Sequence, residues 1–143
     1  FVRAQLSARA IPPERVCFEI TETAAIANLT HATHFMRELR ALGCRFSLDD
    51  FGSGLSSFGY LKNLPVDFLK IDGALVRHVA DNPIDLAMVA AIHRIGDVMG
   101  MRAIAEFVEN QAIREKLVAI GVDHVQGYGV EMPRPLIPGR IGG

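Results

Sequence analysis

Cys44-Arg45-Phe46-Ser47-Leu48-Asp49-Asp50-Phe51-Gly52-Ser53-Gly54 is an apolar run that ends in two adjacent carboxylates and a glycine-rich turn. The alternation of apolar and polar residues reads as a β-strand, and the glycines let the chain turn tightly beyond it. Two neighbouring aspartates at a strand end cannot both point into a core. Sharing a divalent ion relieves their repulsion. Gly52-Ser53-Gly54 starts like a dinucleotide-binding loop, but Ser57 stands where the third glycine belongs. The aspartates before it would also repel a pyrophosphate. The lysine of a P-loop is missing as well. The plain alternative is a structural glycine turn with solvated aspartates.

The same shape recurs on both sides of this stretch. Upstream lies Val16-Cys17-Phe18-Glu19-Ile20; downstream lie Phe68-Leu69-Lys70-Ile71-Asp72, Arg102-Ala103-Ile104-Ala105-Glu106 and His124-Val125-Gln126. Helical stripes separate them. Phe35, Met36, Leu39 and Leu42 lead to Gly43. Asn82-Pro83 opens a stripe of Ile84, Met88, Ala91, Ile92 and Ile95 that closes at Gly100. Ile113, Leu117 and Ile120 lead to Gly121. Proline just inside the start and glycine just past the end are helix punctuation. Strands roughly 20 to 35 residues apart with helices between them predict consecutive βα units and a parallel sheet.

An open doubly wound sheet and a closed barrel share that rhythm. Here the polar residues fall at the C-terminal ends of five successive strands: Glu19, Asp49 with Asp50, Lys70 with Asp72, Glu106, and Gln126. A doubly wound sheet gathers its site at one switch point, whereas a TIM-type barrel gathers strand ends around one mouth. The expected fold is therefore an α/β, TIM-barrel-like arrangement, here an incomplete barrel of about five βα units.

Each residue also has a plainer explanation. Asp72 can simply cap a helix. Glu22, three residues after Glu19, can belong to a capping box opened by Thr21 or Thr23. Lys70 lies between Leu69 and Ile71, so its plain role is to snorkel out of an apolar strand. On a central parallel strand, however, the barrel mouth is the place where an ammonium meets water and carboxylates. Glu109 is expected to begin the helix after Glu106, where acidic residues suit the dipole. Gln126-Gly127-Tyr128-Gly129 carries little information alone.

Composition narrows the function class. A net charge of −1 over 143 residues, 22% of them charged, argues against a nucleic-acid polymer as partner. A phosphate-bearing ligand would then meet metal ions rather than a lysine-rich surface. No apolar run approaches the roughly 18 residues needed to span a bilayer. Cys17 and Cys44 both sit in apolar stretches and are expected to be reduced core residues, which fits a cytoplasmic setting. The chain begins with Phe1, so it is expected to be cut from a longer parent, with room upstream for a membrane anchor.

Taken together, E-I-T-E, D-D-F-G-S-G-x-S-S, L-P-V-D-F-L-K-I-D, A-E-x-V-E, G-V-D-H-V-Q-G-Y and the closing Met132-Pro133 resemble the EAL family of cyclic di-GMP phosphodiesterases. The resemblance runs from about residue 10 to residue 135. It implies a modified TIM barrel that uses two Mg²⁺ or Mn²⁺ ions to open cyclic di-GMP to linear pGpG. By the same resemblance Glu19 is a ligand of the first metal, Asp49 bridges both, and Asp50 and Glu106 serve the second. Lys70 holds the nucleophilic water, with Asp72 and Gln126 lining the site. Glu22 steadies the loop formed by Phe51, Gly52, Ser53, Gly54 and the residues up to Ser57. Oxygen-only ligation suits Mg²⁺ or Mn²⁺, and paired ions suit in-line displacement at phosphorus.

The resemblance also implies a homodimer, with sensory or diguanylate cyclase domains elsewhere in the parent chain. Two features depart from the family pattern. Phe107 stands where a glycine usually follows A-E, and the E-A-L motif with the asparagine on the next strand is absent. Both motifs belong upstream, in a barrel of roughly 250 residues. The 143 residues alone are therefore expected to be a C-terminal portion of one domain, inactive by itself. Two other readings compete. One is a catalytically inactive receptor for cyclic di-GMP. The other is an unrelated barrel using Lys70 for a Schiff base, which needs a desolvated neutral amine.

Overall fold

Five strands form one sheet in chain order: β1 (Cys17–Thr21), β2 (Arg45–Phe51), β3 (Phe68–Ile71), β4 (Arg102–Ala105) and β5 (His124–Val125). Every neighbouring pair is parallel. The computed structural model describes residues 1–53 and 58–135. Among the described residues, six helices accompany the strands: α1 (Val2–Ala8), α2 (Glu22–Ala27), α3 (Leu29–Arg40), α4 (Gly73–Val76), α5 (Pro83–Val98) and α6 (Gln111–Ile120). Short 3-10 turns at Pro13–Arg15 and Phe58–Asn63 complete the described elements.

The strand order never reverses. Right-handed crossovers then place the connecting helices on one face, as in a barrel wall, and there is no switch point. Burial bears this out. Phe46, Leu48, Leu69, Ile71, Ala103 and Ala105 share the helix-covered face and are fully buried. The register puts Glu19 beside Ser47 and Lys70 beside Ile104, so Glu19, Ser47, Asp49 and Lys70 share the opposite face. Carboxylates and an ammonium thus line what would be the barrel interior. Among the described residues, β1 and β5 each pair on one side only.

Helix ends follow their local chemistry. Asn82 caps α5 by accepting from the Ile84 and Asp85 amides, with Pro83 at the first helical position. Gly100 follows α5 at φ +75 and Gly121 ends α6 at φ +93, conformations that glycine adopts without strain. The inward stripe of α5 differs from the expected one. Val89, Ile92 and Gly96 are buried, whereas Ile84, Met88 and Ala91 are exposed. The helix is apolar almost all round, so periodicity cannot set its phase. Contact does: a Cβ at Gly96 would lie 3.2 Å from Leu69 Cδ1 on β3.

Both cysteines are free thiols, but only Cys44 is in the core; Cys17 is exposed on the open face of β1. Among the described residues no helix is long and apolar enough to cross a membrane.

Two aspartates that open strands carry a load the motifs did not reveal. Asp67 Oδ2 accepts from the Phe46 amide at 2.9 Å, and Asp123 Oδ2 accepts from the Ala103 amide at 2.8 Å. Each ties the start of its own strand to the strand immediately before it in the sheet, at the end away from the polar cluster. Asp123→Ala leaves the amide of fully buried Ala103 without its partner. The expected cost is about 1–3 kcal/mol of stability, measured by denaturant unfolding at pH 7, with the polar cluster at the other end unaffected.

Candidate functional site

The adjacent aspartates reach the same place because β2 is bulged between them and β3. Leu48 pairs with Leu69 and Phe51 pairs with Ile71, so β2 spends one extra residue over that interval. Asp50 takes a left-handed φ of +54 there. Neighbours on a regular strand point to opposite faces; a bulge re-aims one of them. One carboxylate oxygen each from Asp49, Asp50 and Glu106 consequently lie within 4.8 Å of one another. Glu106 comes from the residue after β4, on the face of Ile104, and is buried. Phe51, expected to open the loop, instead belongs to β2 and is fully buried, against Phe58.

Lys70, buried on β3, is the counter-charge. Its Nζ lies 2.7 Å from Glu106 Oε1, 2.9 Å from Asp49 Oδ1 and 3.1 Å from Glu19 Oε2. Burial by itself lowers an ammonium pKa; the bonds to Glu106, Asp49 and Glu19 outweigh it and hold Lys70 above its ordinary value. Asp49 Oδ1 is buried and, the Lys70 ammonium apart, has no hydrogen-bond partner among the described residues, so it keeps capacity for another. The Asp50 carboxyl, although exposed, is pushed up by desolvation, then by Asp49 and Asp72, with Lys70 pulling it back. One ammonium therefore does not neutralise the cluster. Glu19 is more exposed than Asp49 and Glu106 and is not one of the close three.

The remaining expected residues divide. Thr21 caps α2 by accepting from the Ala24 amide, and Glu22, buried at the first helical position, reaches across to the turn after β2. Glu22 Oε2 accepts from the Gly52 amide at 3.2 Å, and its other oxygen accepts from the Tyr60 hydroxyl. Glu22 thus holds the backbone just past Asp50, as expected, and Tyr60 is a partner that no motif suggested. Ser53 donates its amide back to Asp50 O at 3.3 Å. Gly54 and the residues to Ser57 lie outside the described residues. Asp72 does what its plainer reading said: it caps α4, accepting from the Ala74 amide at 2.6 Å.

Gln126 lines a cavity of about 360 Å³ with Arg77, Glu106, Phe107, Glu109, Gly127 and Tyr128. This hollow opens directly beside the carboxylate cluster. Glu109 does not begin a helix; Asn110 caps α6, and Glu109 lies 3.8 Å from Arg77. Gly127 and Gly129, weak as sequence signals, have a definite cause. A Cβ on either would lie 2.4 to 2.5 Å from the backbone of Val108 or Glu109. Only glycine lets the chain after β5 press that closely on the chain after β4.

The comparisons with known proteins agree with this geometry. The EAL domain family matches residues 1–133. The cyclic di-GMP phosphodiesterase PdeB of Shewanella oneidensis is 52% identical over 126 residues, 88% of this chain and 15% of that protein. The cyclic di-GMP phosphodiesterase PdeF of Escherichia coli is 41% identical over 123 residues, 86% of this chain and 16% of its own length. The PaMucR phosphodiesterase in its c-di-GMP complex superposes with a TM-score of 0.88 at 35% identity, covering 94% of this chain and 54% of that one. Klebsiella pneumoniae BlrP1, in a complex with manganese and cyclic di-GMP, superposes at 0.83 and 30% identity, over 89% of this chain and 32% of its own. The chain therefore spans only 15–16% of those two curated relatives and 54% or less of those two structures. Matched over 133 of its 143 residues, with the five-stranded parallel sheet and its strand-end carboxylates in place, the chain belongs to the EAL domain family.

Proposed function

We propose that this chain supplies most of the polar face of a metal-dependent phosphodiesterase site that opens cyclic di-GMP to linear pGpG. The observation that carries the proposal is the convergence of Asp49, Asp50 and Glu106 around Lys70. The donor set fits a hard divalent cation: three carboxylates offer oxygens only, against the single ammonium of Lys70. Asp49, Asp50 and Glu106 would hold Mg²⁺ or Mn²⁺, with Glu19 at a neighbouring position. When bound, such ions supply charge stabilisation at phosphorus and a nucleophile from water at neutral pH.

The chain's own groups do the positioning. Lys70 stays protonated, so it donates hydrogen bonds and cannot serve as a base or a Schiff-base amine. Its fixed ammonium orients a water or a phosphoryl oxygen at the carboxylate cluster. Glu22 braces the turn at Gly52, which keeps Asp50 in its left-handed conformation. Gln126 and the hollow beside Glu106 offer room for the rest of the ligand. The homodimer, companion sensory or cyclase domains and cytoplasmic setting belong to this same proposal, as does inactivity of residues 1–143 in isolation: among the described residues, β1 and β5 each pair on one side only.

The test is turnover by the complete domain that contains this chain. It is expected to convert cyclic di-GMP to pGpG with Mg²⁺ or Mn²⁺ and to stop when chelator is in excess. Binding without turnover at saturating metal would favour the receptor reading, and turnover in excess chelator would remove the metal from the mechanism.

A further inference from the structure

The segment that delivers Glu106 to the site is gripped from two sides. On one side, Val108 is fully buried; its amide donates to Gln126 O at 3.0 Å and its carbonyl accepts from the Gly129 amide at 2.8 Å. On the other, the Phe107 ring lies where a side chain at residue 73 would be. A Cβ on Gly73 would stand 2.1 Å from Phe107 Cδ2, 2.7 Å from Cγ and 2.9 Å from Cε2. The Arg77 guanidinium covers the ring at 4.4 Å from its centroid.

Packing alone does not account for this phenylalanine. Phe107 is 47% exposed, so about half of the residue stays in water rather than against the core. Its backbone sits at φ +54, a left-handed conformation that strains a non-glycine residue. Glycine would suit the backbone better and a smaller side chain would suit the surface better. What only the ring provides is contact between the residue after Glu106 and the residue after Asp72. Glu106 and Asp72 stand at the ends of neighbouring strands, and Asp72 caps α4 from the same point.

We infer that Phe107 is a positioning residue for Glu106, and that it works as a matched pair with Gly73. The ring seated on the bare Cα of Gly73 sets the loop that aims the Glu106 carboxylate at Asp49 and Asp50. The inference rests on the proposed metal role of those carboxylates. It requires that a side chain at residue 73 harm metal binding by unseating the ring, and that the harm vanish when the ring is gone.

The experiment is a double-variant cycle in the complete domain, read by Mn²⁺ affinity from calorimetric titration of protein shown to be folded. Gly73→Ala is expected to weaken Mn²⁺ binding about tenfold or more, the usual cost of disturbing the support of a ligand. Phe107→Gly is expected to weaken it by a similar factor, although it relieves the backbone strain. The double variant should match Phe107→Gly within about twofold, because no ring remains to be displaced. Multiplying losses, or a folded Phe107→Gly protein that binds Mn²⁺ like wild type, would overturn the inference. If Gly73→Ala does not fold, Phe107→Gly alone decides. Absence of Mn²⁺ binding in the wild-type domain would instead overturn the metal reading, and this inference with it.

Discussion

Asp49→Asn in the complete domain is expected to lower cyclic di-GMP turnover by more than about a hundredfold while leaving the fold in place. The substitution keeps shape and removes one charge. That charge is central: Asp49 is 2.9 Å from Lys70 Nζ and within reach of both Asp50 and Glu106. An amide oxygen is a poor substitute for a carboxylate toward a hard cation. Stability should hold, because Lys70 retains Glu106 and Glu19 as partners. Asp50 should also ionise more readily once the neighbouring charge is gone. The check is pGpG formation at saturating metal, with circular dichroism as the control for folding. A variant that keeps more than a tenth of wild-type turnover would remove Asp49 from the metal site.

Lys70→Met is expected to destabilise the metal-free domain by about 3–5 kcal/mol at pH 7, the cost of stripping the partner from buried charges. The pH dependence has a definite sign. Lys70 is held above its ordinary value of 10.5, so its stabilisation is fully present below about that pH. It is lost only as pH rises through the folded-state value, and it stays constant across the neutral range. Without the ammonium, the carboxylates of Glu106, Asp49 and Glu19 are left with no counter-charge among them. Mn²⁺ should stabilise it more than it stabilises wild type, since the ion replaces the missing charge. Turnover should fall more than ligand affinity, because the ammonium orients the reacting groups. A variant as stable as wild type at pH 7 would mean that the carboxylates do not depend on Lys70.

Alternation and punctuation made the five strands legible, because apolar faces and helix caps are written locally. The convergence of Glu19, Asp49, Lys70 and Glu106 was legible too, since parallel strands in chain order bring their C-terminal ends together. The phase of α5 was not. Ile84 and Met88 look as inward as Val89 when a helix is apolar all round, and only contact with β3 chooses. The bulge at Asp49-Asp50 is a register event between two strands, invisible in either one alone. For the same reason Phe51 read as the start of a loop when it closes the core. Asp72 carried two compatible readings, and the Ala74 amide picks the cap. The grip of Gly73, Gly127 and Gly129 on the segment after Glu106 depends on backbone proximity across distant parts of the chain, which no local pattern records.

The central claim is that Asp49, Asp50 and Glu106 hold the divalent ion. It is tested most directly by diffraction from crystals of the complete domain soaked in Mn²⁺, with data collected at the manganese absorption edge. The account predicts an anomalous peak coordinated by carboxylate oxygens of those three residues, with Lys70 beside it and no such peak in crystals of the Asp49→Asn variant. Manganese bound elsewhere in the domain, or bound identically when Asp49 is asparagine, would contradict it.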